Sequence, residues 1–413
     1  MPPNIRPDPK TSSPEAFILI FAMCVAEVLG MLGVFAFPAL LPYFLKLWGL
    51  SNGQAGWING IYFAGYTAAV PLLTSITDRI DARRVYLTFC GLGILANLGF
   101  AILACGFWSA LLFRALSGLG LAGTFIPGLK ALIDRLEVRT HPRAISFYTA
   151  CFGLGVSISF YCAGEMFRWF GWKEAFGIAA MGSVLSLILS FLVLKPKSIP
   201  LVSNRTAKGH ILDFRPVWKN RPARAYILVY MCHMWEMFAA RSWLVVFLSF
   251  SITLQKAPAG LMAPTTVMAV AGIGGMLASI VGGELAVRLG RRRVVTAIMG
   301  ISALLALTIG FSARLPYNAV IILCLVYTLF FQGDSAAIHA GVITAAEPER
   351  QGATMALQSL VGFAAASLGS VVAGMVLDLT GGGSTSLSWG LTFGSIGIAA
   401  ALGPVLLHRT QNN

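Results

Sequence analysis

Twelve long apolar runs dominate this chain of 413 residues. Each run is near the roughly 20 residues that a helix needs to cross a bilayer. The runs are continuous and show no period-two alternation, a pattern that predicts helices. They occupy 17–44, 55–76, 85–105, 109–132, 144–165, 174–194, 226–252, 264–287, 294–313, 317–343, 353–377 and 387–407. We therefore predict an all-α membrane protein with twelve transmembrane helices and the lipid bilayer as its surroundings.

The composition agrees with this prediction. Hydrophobic residues make up 57% of the chain and charged residues 11%, against about 45–50% and about 25% in soluble domains. The seven cysteines all fall in or at the ends of the predicted spans. Without the spacing of metal ligands they are interpreted as packing residues. No disulfide, metal or cofactor is predicted.

The distribution of lysine and arginine predicts the orientation. About 23 of these residues lie on the same side of the membrane as the N-terminus. By the positive-inside rule, this distribution predicts that both termini are cytoplasmic. Only five lie on the other side: Lys46, Arg168, Lys173, Lys256 and Arg314. The net charge of +14 is spread over many short loops, so it reports topology and not a nucleic-acid surface. We expect a monomeric protein of the bacterial cytoplasmic (inner) membrane.

A hydrophilic loop from Lys195 divides the spans into six and six. A shift of 209 positions lays residues 16–27 on 225–236 without a gap and puts Glu27 on Glu236. The two halves are therefore predicted to be structural copies. The predicted segments are a cytoplasmic tail (1–16), a six-helix bundle (17–194), a cytoplasmic loop (195–224), a second six-helix bundle (225–407) and a tail (408–413).

Such a duplicated helical membrane protein is the expected architecture of an alternating-access transporter. In that architecture a small-molecule site lies at the midplane between the halves.

Two polar loops carry a family resemblance. The stretch "TDRIDARRV" after span 2 resembles a loop motif of the major facilitator superfamily, and "VRLGRRR" after span 8 resembles its second copy. The first copy keeps Asp78, Arg79, Arg83 and Arg84; the second keeps Gly283, Arg288, Gly290, Arg291 and Arg292. Thr74 and Asp81 replace glycines of the motif, and Val287 replaces the acid of the second copy.

This resemblance extends over the whole chain, because "FRALSGLG" (113–120) and "FGWKEAF" (170–176) are similar to the family's motifs in span 4 and before span 6. It implies the major facilitator fold, with two pseudo-symmetric six-helix bundles. It also implies that Asp78 and the motif arginines act as a gating latch in the outward-facing state. A solvated loop that only sets topology is the alternative.

Charged residues inside spans are functional candidates, because each is costly in hydrocarbon. Glu27 and Glu236 lie about ten residues from the cytoplasmic end, on the order of 15 Å in, and are expected to face each other across the pseudo-two-fold axis. Arg114 and Arg241 are expected about 7 Å further from that end, within reach of the glutamates. Permanent ion bridges between helices are the alternative to a functional role.

A glutamate whose arginine partner comes and goes can load and release a proton, and guanidinium groups bind carboxylates in a bidentate manner. The hypothesis is that Glu27 or Glu236 carries the proton while Arg114 and Arg241 bind an anionic substrate. Asp334 is a second proton site, part of a gate, or a satisfied polar group. His233 either tunes Glu236 or is a packed neutral histidine.

Acids at span ends, namely Glu165, Glu284 and Asp378, are interpreted as solvated. The predicted function is proton-coupled uptake of a small organic or inorganic anion, with no cofactor beyond an ion gradient and sodium coupling left open. A proton-coupled exporter of drugs or metabolites is the first alternative, although span 5 lacks the exporters' proline motif. A transporter-derived receptor is the second. The scattered histidines provide no catalytic constellation, so an enzyme is not predicted.

Overall fold

The computed structural model describes residues 14–77, 79–197, 214–255 and 261–412. All regular secondary structure in these ranges is helical, which confirms the predicted all-α class. Among the described residues, ten helices are long and apolar enough to cross a membrane.

The helices of the first half are α1 (Pro14–Gly30), α2 (Ala36–Ala39), α3 (Leu41–Leu47), α4 (Asn52–Thr77), α5 (Ala82–Leu103), α6 (Phe107–Ile133), α7 (His141–Trp169) and α8 (Trp172–Val193). Those of the second half are α9 (Arg215–Lys219), α10 (Arg221–Gln255), α11 (Pro264–Leu289), α12 (Arg291–Ile309), α13 (Tyr317–Gly333), α14 (Ser335–Ala345), α15 (Gln351–Leu379) and α16 (Ser386–Asn412). Short 3-10 turns precede α7 and α15 and follow α12.

Two predicted spans are broken. The run 17–44 forms α1, a turn at 31–35, and the short helices α2 and α3. Pro38 and Pro42 lie within the first turns of these short helices, where the missing N–H is tolerated. Proline is not tolerated in the interior of a helix, so these two residues prevent one continuous helix over the whole run. Span 10 is interrupted at Asp334, between α13 and α14.

The predicted segment boundaries differ from the helices at three places. α1 begins at Pro14, α10 at Arg221, and α16 continues to Asn412, through the predicted tail. The predicted loop 195–224 contains α9, while its residues 198–213 lie outside the described residues. Polar residues at helix ends explain the differences, since the apolar pattern marks the hydrocarbon-facing part of a helix and not its full length.

Helices of each half pack mainly with each other. In the first half α5 packs against α6 and α8, and α1 against α7 and α8; in the second half α10 and α12 pack against α16, and α11 against α13. Two seams join the halves, one between α4 and α15 and one between α7 and α11.

We call the side that holds the C-terminal ends of α4, α6 and α8 and the N-terminal ends of α5, α7 and α10 the terminal face. The opposite side, which holds the N-terminal ends of α4, α6 and α16 and the C-terminal ends of α5 and α15, is the far face. Glycines bring the seams close together on the far side. A Cβ atom on Gly56 would lie 2.7 Å from Ser370 O, and one on Gly60 would lie 2.6 Å from Ser367 O. Gly164 of α7 likewise meets Thr265 of α11.

Hydrogen bonds, ring contacts and glycine approaches join the halves from the far face to the middle of the bundle. Every hydrogen bond, ring contact and glycine approach that joins them among the described residues lies in this region. Among the contacts of these three kinds, those nearest the terminal face join Tyr66 to Phe363 and Gly153 to Met276. The seams are therefore closed on the far side.

Candidate functional site

Four charged side chains are buried near the middle of the bundle. Glu27, Arg114, Glu236 and Arg241 are between 1% and 5% exposed. No ion pair in the described part of the chain includes any of them. The expected acid–base bridges are thus absent in this conformation, and each charge has other partners.

Glu27 is bound inside the first half. Its Oε2 accepts a hydrogen bond of 2.7 Å from the Tyr148 hydroxyl, which also lies 3.2 Å from Thr124 O. Its Oε1 is buried and has no partner. The carboxyl group is therefore directed toward α6 and α7 and meets only a neutral donor.

Glu236 is bound inside the second half. Its Oε1 accepts a hydrogen bond of 2.7 Å from the Ser302 hydroxyl on α12. The prediction that Glu27 and Glu236 face each other across the pseudo-two-fold axis is therefore wrong. Their positions in the sequence predict that the two glutamates lie at the same depth in the membrane. The rotation of each helix about its axis directs each carboxyl group into its own half of the protein.

Arg114 stabilises the break in the first span. Its Nη1 donates to Gly33 O at 3.1 Å, and its Nη2 donates to Val34 O at 2.9 Å. The guanidinium carbon lies 4.2 Å from the ring centroid of Tyr62. The turn at 31–35 leaves Gly33 O with only a long backbone hydrogen bond, 3.4 Å from Ala36 N, and the arginine donates to both carbonyls. Its planar fork is therefore occupied by the protein itself.

Arg241 has a different environment. Its Nη2 donates to Gln332 Oε1 at 2.6 Å. The guanidinium carbon lies 5.9, 5.7 and 5.9 Å from the ring centroids of Phe35, Phe238 and Phe331. A guanidinium group does not lose its proton in proteins, and a buried charge without a counterion is unfavourable. This site therefore suits an anion.

Aromatic rings from both halves meet beside Arg241. Phe63 and Tyr66 of α4 and Phe35 come from the first half, and Phe238 and Phe363 come from the second. Ring centroids lie 4.4 Å apart for Phe63 and Phe238, 4.3 Å for Tyr66 and Phe363, and 6.3 Å for Phe35 and Phe238. This aromatic layer closes the space between the halves near the midplane.

Asp334 lies at the break of span 10 and is 2% exposed. Its Oδ1 is 2.8 Å from His233 Nδ1. Neither atom has a hydrogen-bond partner of suitable angle, so the two groups meet in a close polar contact. His233 was expected either to tune Glu236 or to be a packed neutral residue. It is packed, but its polar contact is with Asp334.

The first loop motif packs within the first half. Arg79 and Arg84 are exposed, while Arg83 Nη2 donates to Phe191 O at 3.2 Å and its guanidinium lies 4.9 Å from the Phe191 ring. Asp78 lies outside the described residues. The latch role that the resemblance implies for this motif stays a prediction.

Asp81, which replaces a motif glycine, organises the terminal face of the first half. Its carboxylate caps α5 by accepting from Arg83 N at 3.0 Å. It also accepts two hydrogen bonds from Arg135 Nη2, at 2.9 and 2.7 Å, and one from Lys197 N at 2.9 Å. Partial burial acts to raise the pKa of Asp81, but the donors from Arg135, Lys197 and Arg83 outweigh it and lower the pKa below its usual value.

The second loop motif packs within the second half. Gly290 has φ +93 between α11 and α12, a conformation that favours glycine. Arg288 Nε lies 2.7 Å from Glu284 Oε1, and Arg291 Nη1 donates to Thr344 Oγ1 at 2.6 Å. A Cβ on Gly283 would lie 3.2 Å from Ala336. Arg292 Nε is buried without a partner.

Asp378 was interpreted as solvated, and it is exposed, but it also binds the other half of the protein. Its Oδ1 accepts from Asn52 N at 2.9 Å and from Asn52 Nδ2 at 2.8 Å, and its Oδ2 accepts from Gly53 N at 2.7 Å. The end of α15 thereby caps the start of α4 across the seam. The sequence signal that could have identified this contact is the Asn-Gly pair just before a predicted span. It marks the start of a helix, where the first backbone N–H groups need an acceptor from outside the helix.

The other two acids at span ends have partners in their own helices. Glu165 lies 3.9 Å from Arg168 and accepts from Trp169 Nε1 at 3.3 Å, and Glu284 pairs with Arg288. Neither joins the two halves.

Comparison with known proteins gives a consistent result. The Major Facilitator Superfamily matches residues 23–338 of the chain. Relatives include the niacin transporter NiaP of Acinetobacter baylyi, 24% identical over 233 residues (48% of this chain, 51% of the relative). The protein TsgA of Escherichia coli O157:H7 is 24% identical over 206 residues (44% and 48%). The matched region spans about half the length of these relatives.

Solved structures match over nearly the whole chain. A bacterial homolog of the human lysosomal transporter Spinster, inward-facing and unoccupied, has a TM-score of 0.73 at 15% identity and covers 97% of this chain and 96% of its own. The nucleoside transporter NupG has a TM-score of 0.74 at 15% identity, with coverage of 97% and 100%. These likenesses confirm the predicted fold, and they are to transporters and not to enzymes.

Proposed function

Because the chain belongs to the Major Facilitator Superfamily, we propose that this membrane transporter takes up a small organic or inorganic anion together with protons. Its mechanism is alternating access of a site between the two halves. The rest of the proposal concerns the substrate, the coupling and the direction, and it rests on the buried charges.

The observation that carries the proposal is the unpaired charge of Arg241. The guanidinium is 5% exposed, is surrounded by three phenylalanine rings and has a glutamine as its hydrogen-bond partner. It keeps its charge, so a counterion brought by the substrate would lower the free energy of the site. Bidentate binding of a carboxylate or a similar planar anion fits a guanidinium group. Arg241 is therefore the proposed substrate-binding residue.

Arg114 supports the site in another way. Its guanidinium contacts are two backbone carbonyls and the Tyr62 ring. A direct substrate contact would require it to release Gly33 or Val34. We assign it the role of holding the broken first span next to Phe35, which contacts Arg241.

Proton coupling is proposed for the buried carboxyl groups. Glu27 and Glu236 have neutral hydroxyl partners and no cation within ion-pair distance. Carboxyl groups in such surroundings are stable when protonated. With both protonated, the two arginines give the centre a positive charge, which favours an incoming anion. Binding of protons and anion would thus be mutually supportive.

The proposed direction is uptake, and it is stated together with the proposed orientation. Both termini are taken to lie in the cytoplasm of a bacterial cell, in its inner membrane. The polar, aromatic and glycine contacts between the halves then lie toward the periplasmic side. The relative from Acinetobacter baylyi is named for niacin, a small carboxylic acid, which belongs to the proposed substrate class.

The test uses the purified chain in liposomes that enclose a pH dye. Nicotinate, formate, cyanate and lipophilic cations are added outside to the wild type, to Glu27→Gln/Glu236→Gln and to Arg241→Gln. Arg314→Gln is the matched control, because Arg314 is an exposed arginine at the far face. The proposal predicts acidification with one of the anions, which is lost in the first two variants and kept in the control.

Proton exit driven by lipophilic cations would instead establish the exporter. No proton movement with any compound, in protein that unfolds cooperatively, would favour a receptor and refute coupled transport.

A further inference from the structure

Gln332, near the end of α13, is the hydrogen-bond partner of Arg241. Its side-chain oxygen Oε1 accepts from Arg241 Nη2 at 2.6 Å. Because a guanidinium group can only donate, this bond fixes the amide with its oxygen toward the arginine. The amide nitrogen Nε2, which carries two N–H groups, is therefore left to serve another acceptor.

Several donors of this pair are open. Within the described residues no hydrogen bond is made by Arg241 Nε, by Arg241 Nη1 or by Gln332 Nε2. None of these atoms is fully enclosed either, in contrast to Arg114 Nε, which is buried without a partner. Gln332 as a whole is half-buried. Arg241 and Gln332 thus present adjacent, accessible donors beside the aromatic layer.

Adjacent donors of this kind match an anion that has two oxygens. One oxygen of a carboxylate can accept from the guanidinium group, while the other accepts from the amide N–H groups of Gln332. Hydrogen bonds to a charged acceptor are stronger than those between neutral groups. The amide would therefore add to the binding that Arg241 provides by its charge.

The charge of the site limits the charge of the substrate. Of the two arginines buried at the centre, Arg114 already donates to the carbonyls of Gly33 and Val34. Arg241 is left with a single positive charge to offer. A second carboxylate on the substrate would be buried without a counterion, which is unfavourable. The site therefore suits a monoanion.

The surroundings of Arg241 limit the rest of the substrate. The ring centroids of Phe35, Phe238 and Phe331 lie 5.9, 5.7 and 5.9 Å from the guanidinium carbon. A carboxylate bound to Arg241 brings the atoms attached to it close to these rings. Burial of apolar surface is favourable there, whereas a polar body would lose its hydrogen bonds to water.

We propose that Gln332 is a second substrate-binding residue that determines specificity, and that the site takes a monocarboxylate with an apolar body. Arg241 binds one carboxylate oxygen and Gln332 Nε2 binds the other. The inference rests on the proposed function and narrows its substrate class. A glutamine also leaves the charge of Arg241 uncompensated, whereas a glutamate at position 332 would pair with the guanidinium group and remove the charge that the substrate needs.

Isothermal titration calorimetry on the full chain in lipid nanodiscs tests this inference. Benzoate, nicotinate and cyclohexanecarboxylate are the monocarboxylates. Benzamide lacks the charge, phthalate adds a second carboxylate, and nitrate lacks the apolar body. The wild type should bind at least one monocarboxylate about tenfold or more tightly than these three compounds.

Two substitutions of Gln332 separate the role of its amide from that of the charge. Gln332→Met keeps the length of the side chain and loses the donor, so affinity for the monocarboxylate should fall by roughly tenfold to a hundredfold. Gln332→Glu should lose monocarboxylate binding altogether. Cooperative thermal unfolding of both variants shows that they are folded.

Gln358→Met is the matched control. Gln358 is also a glutamine of the second half, but it is 3% exposed and its Nε2 is buried without a partner. It has no accessible donor to offer to a substrate. This variant should bind the monocarboxylate as the wild type does.

The outcomes separate this inference from the proposed function. Unchanged monocarboxylate binding in Gln332→Met would overturn the inference, and so would nitrate or phthalate binding as tightly as the best monocarboxylate. Both results leave Arg241 as an anion site, which the loss of binding in Arg241→Gln tests separately. A wild type that binds none of the anions, or an Arg241→Gln variant that binds them equally well, would overturn the proposed anion site itself.

Discussion

Asp378 and Asn52 join the two halves of the bundle at the far face. The carboxylate at the end of α15 accepts from Asn52 N at 2.9 Å and from its Nδ2 at 2.8 Å, while Gly53 N donates at 2.7 Å. A negative charge at a helix N-terminus is favourable, and here charge and helix belong to different halves. These bonds must break before the far face can open.

Asp378→Asn should favour opening of the far face. The variant loses charge-assisted hydrogen bonds worth about 2 kcal/mol, roughly a thirtyfold change in the ratio of conformations. Spin labels at exposed Gln54 and Leu379, in a cysteine-free background, measure the separation of α4 and α15. We expect a new population at longer distance.

Glu165→Gln is the control for this measurement, because Glu165 is an acid of the far face whose contacts remain within its own helix. Identical distance distributions for Asp378→Asn and wild type would show that the hydrogen bonds from Asn52 and Gly53 to Asp378 do not hold the halves together.

Gly60→Ala should prevent closure of the seam between α4 and α15. The added Cβ would lie 2.6 Å from Ser367 O, a backbone atom that cannot rotate away. Uptake of the anion identified in liposomes should fall strongly. Gly91→Ala, on α5, is matched to it, since a Cβ there meets nothing within 4 Å; this variant should transport normally and gain about 0.5–1 kcal/mol of stability. Normal uptake by Gly60→Ala would contradict the close approach.

The two buried arginines should respond in opposite ways to substitution by glutamine. Arg114→Gln removes the guanidinium donors from the carbonyls of Gly33 and Val34, so its free energy of unfolding should fall by about 2–3 kcal/mol. Arg241→Gln removes a buried charge without a counterion, so stability should be unchanged or higher while anion binding is lost. Thermal unfolding in detergent and uptake in liposomes check both. Equal destabilisation by the two changes would argue against the assignment of Arg241 to the substrate.

The lowered pKa of Asp81 should make the free energy of unfolding depend on pH. Because its pKa is lower in the folded than in the unfolded chain, its contribution is fully present above the unfolded value of about 3.9 and is lost as the pH falls through the folded value. Asp81→Asn should lower stability at pH 7 by about 2 kcal/mol. The difference between wild type and variant should shrink below about pH 4.

Thermal unfolding of both proteins from pH 7 to pH 3 gives this difference directly. Arg135→Gln should show the same loss, since Arg135 is the charged partner of Asp81. A difference that stays constant over the whole range would mean that the carboxylate is not stabilised by its ion pair.

The sequence alone determined the class of the protein and its family. Length and continuity of apolar runs predict membrane helices, because the bilayer imposes the same requirement on every span. The 209-residue shift between Glu27 and Glu236 predicted the repeat, and the loop motifs predicted the superfamily that the match to residues 23–338 confirms. Charges inside apolar runs also identified which side chains are buried.

Only the tertiary structure decided what each buried charge meets. Depth along a helix follows from a rise per residue, but the direction of a side chain depends on helix rotation and on breaks such as the turn at 31–35. Thus Glu27 meets Tyr148, and Arg114 binds the backbone of the first span. The hydrogen bond between Asp378 and Asn52 could not be predicted from the sequence either, since it joins groups 326 positions apart. Such pairings depend on how the two halves pack, and no spacing within one helix records that.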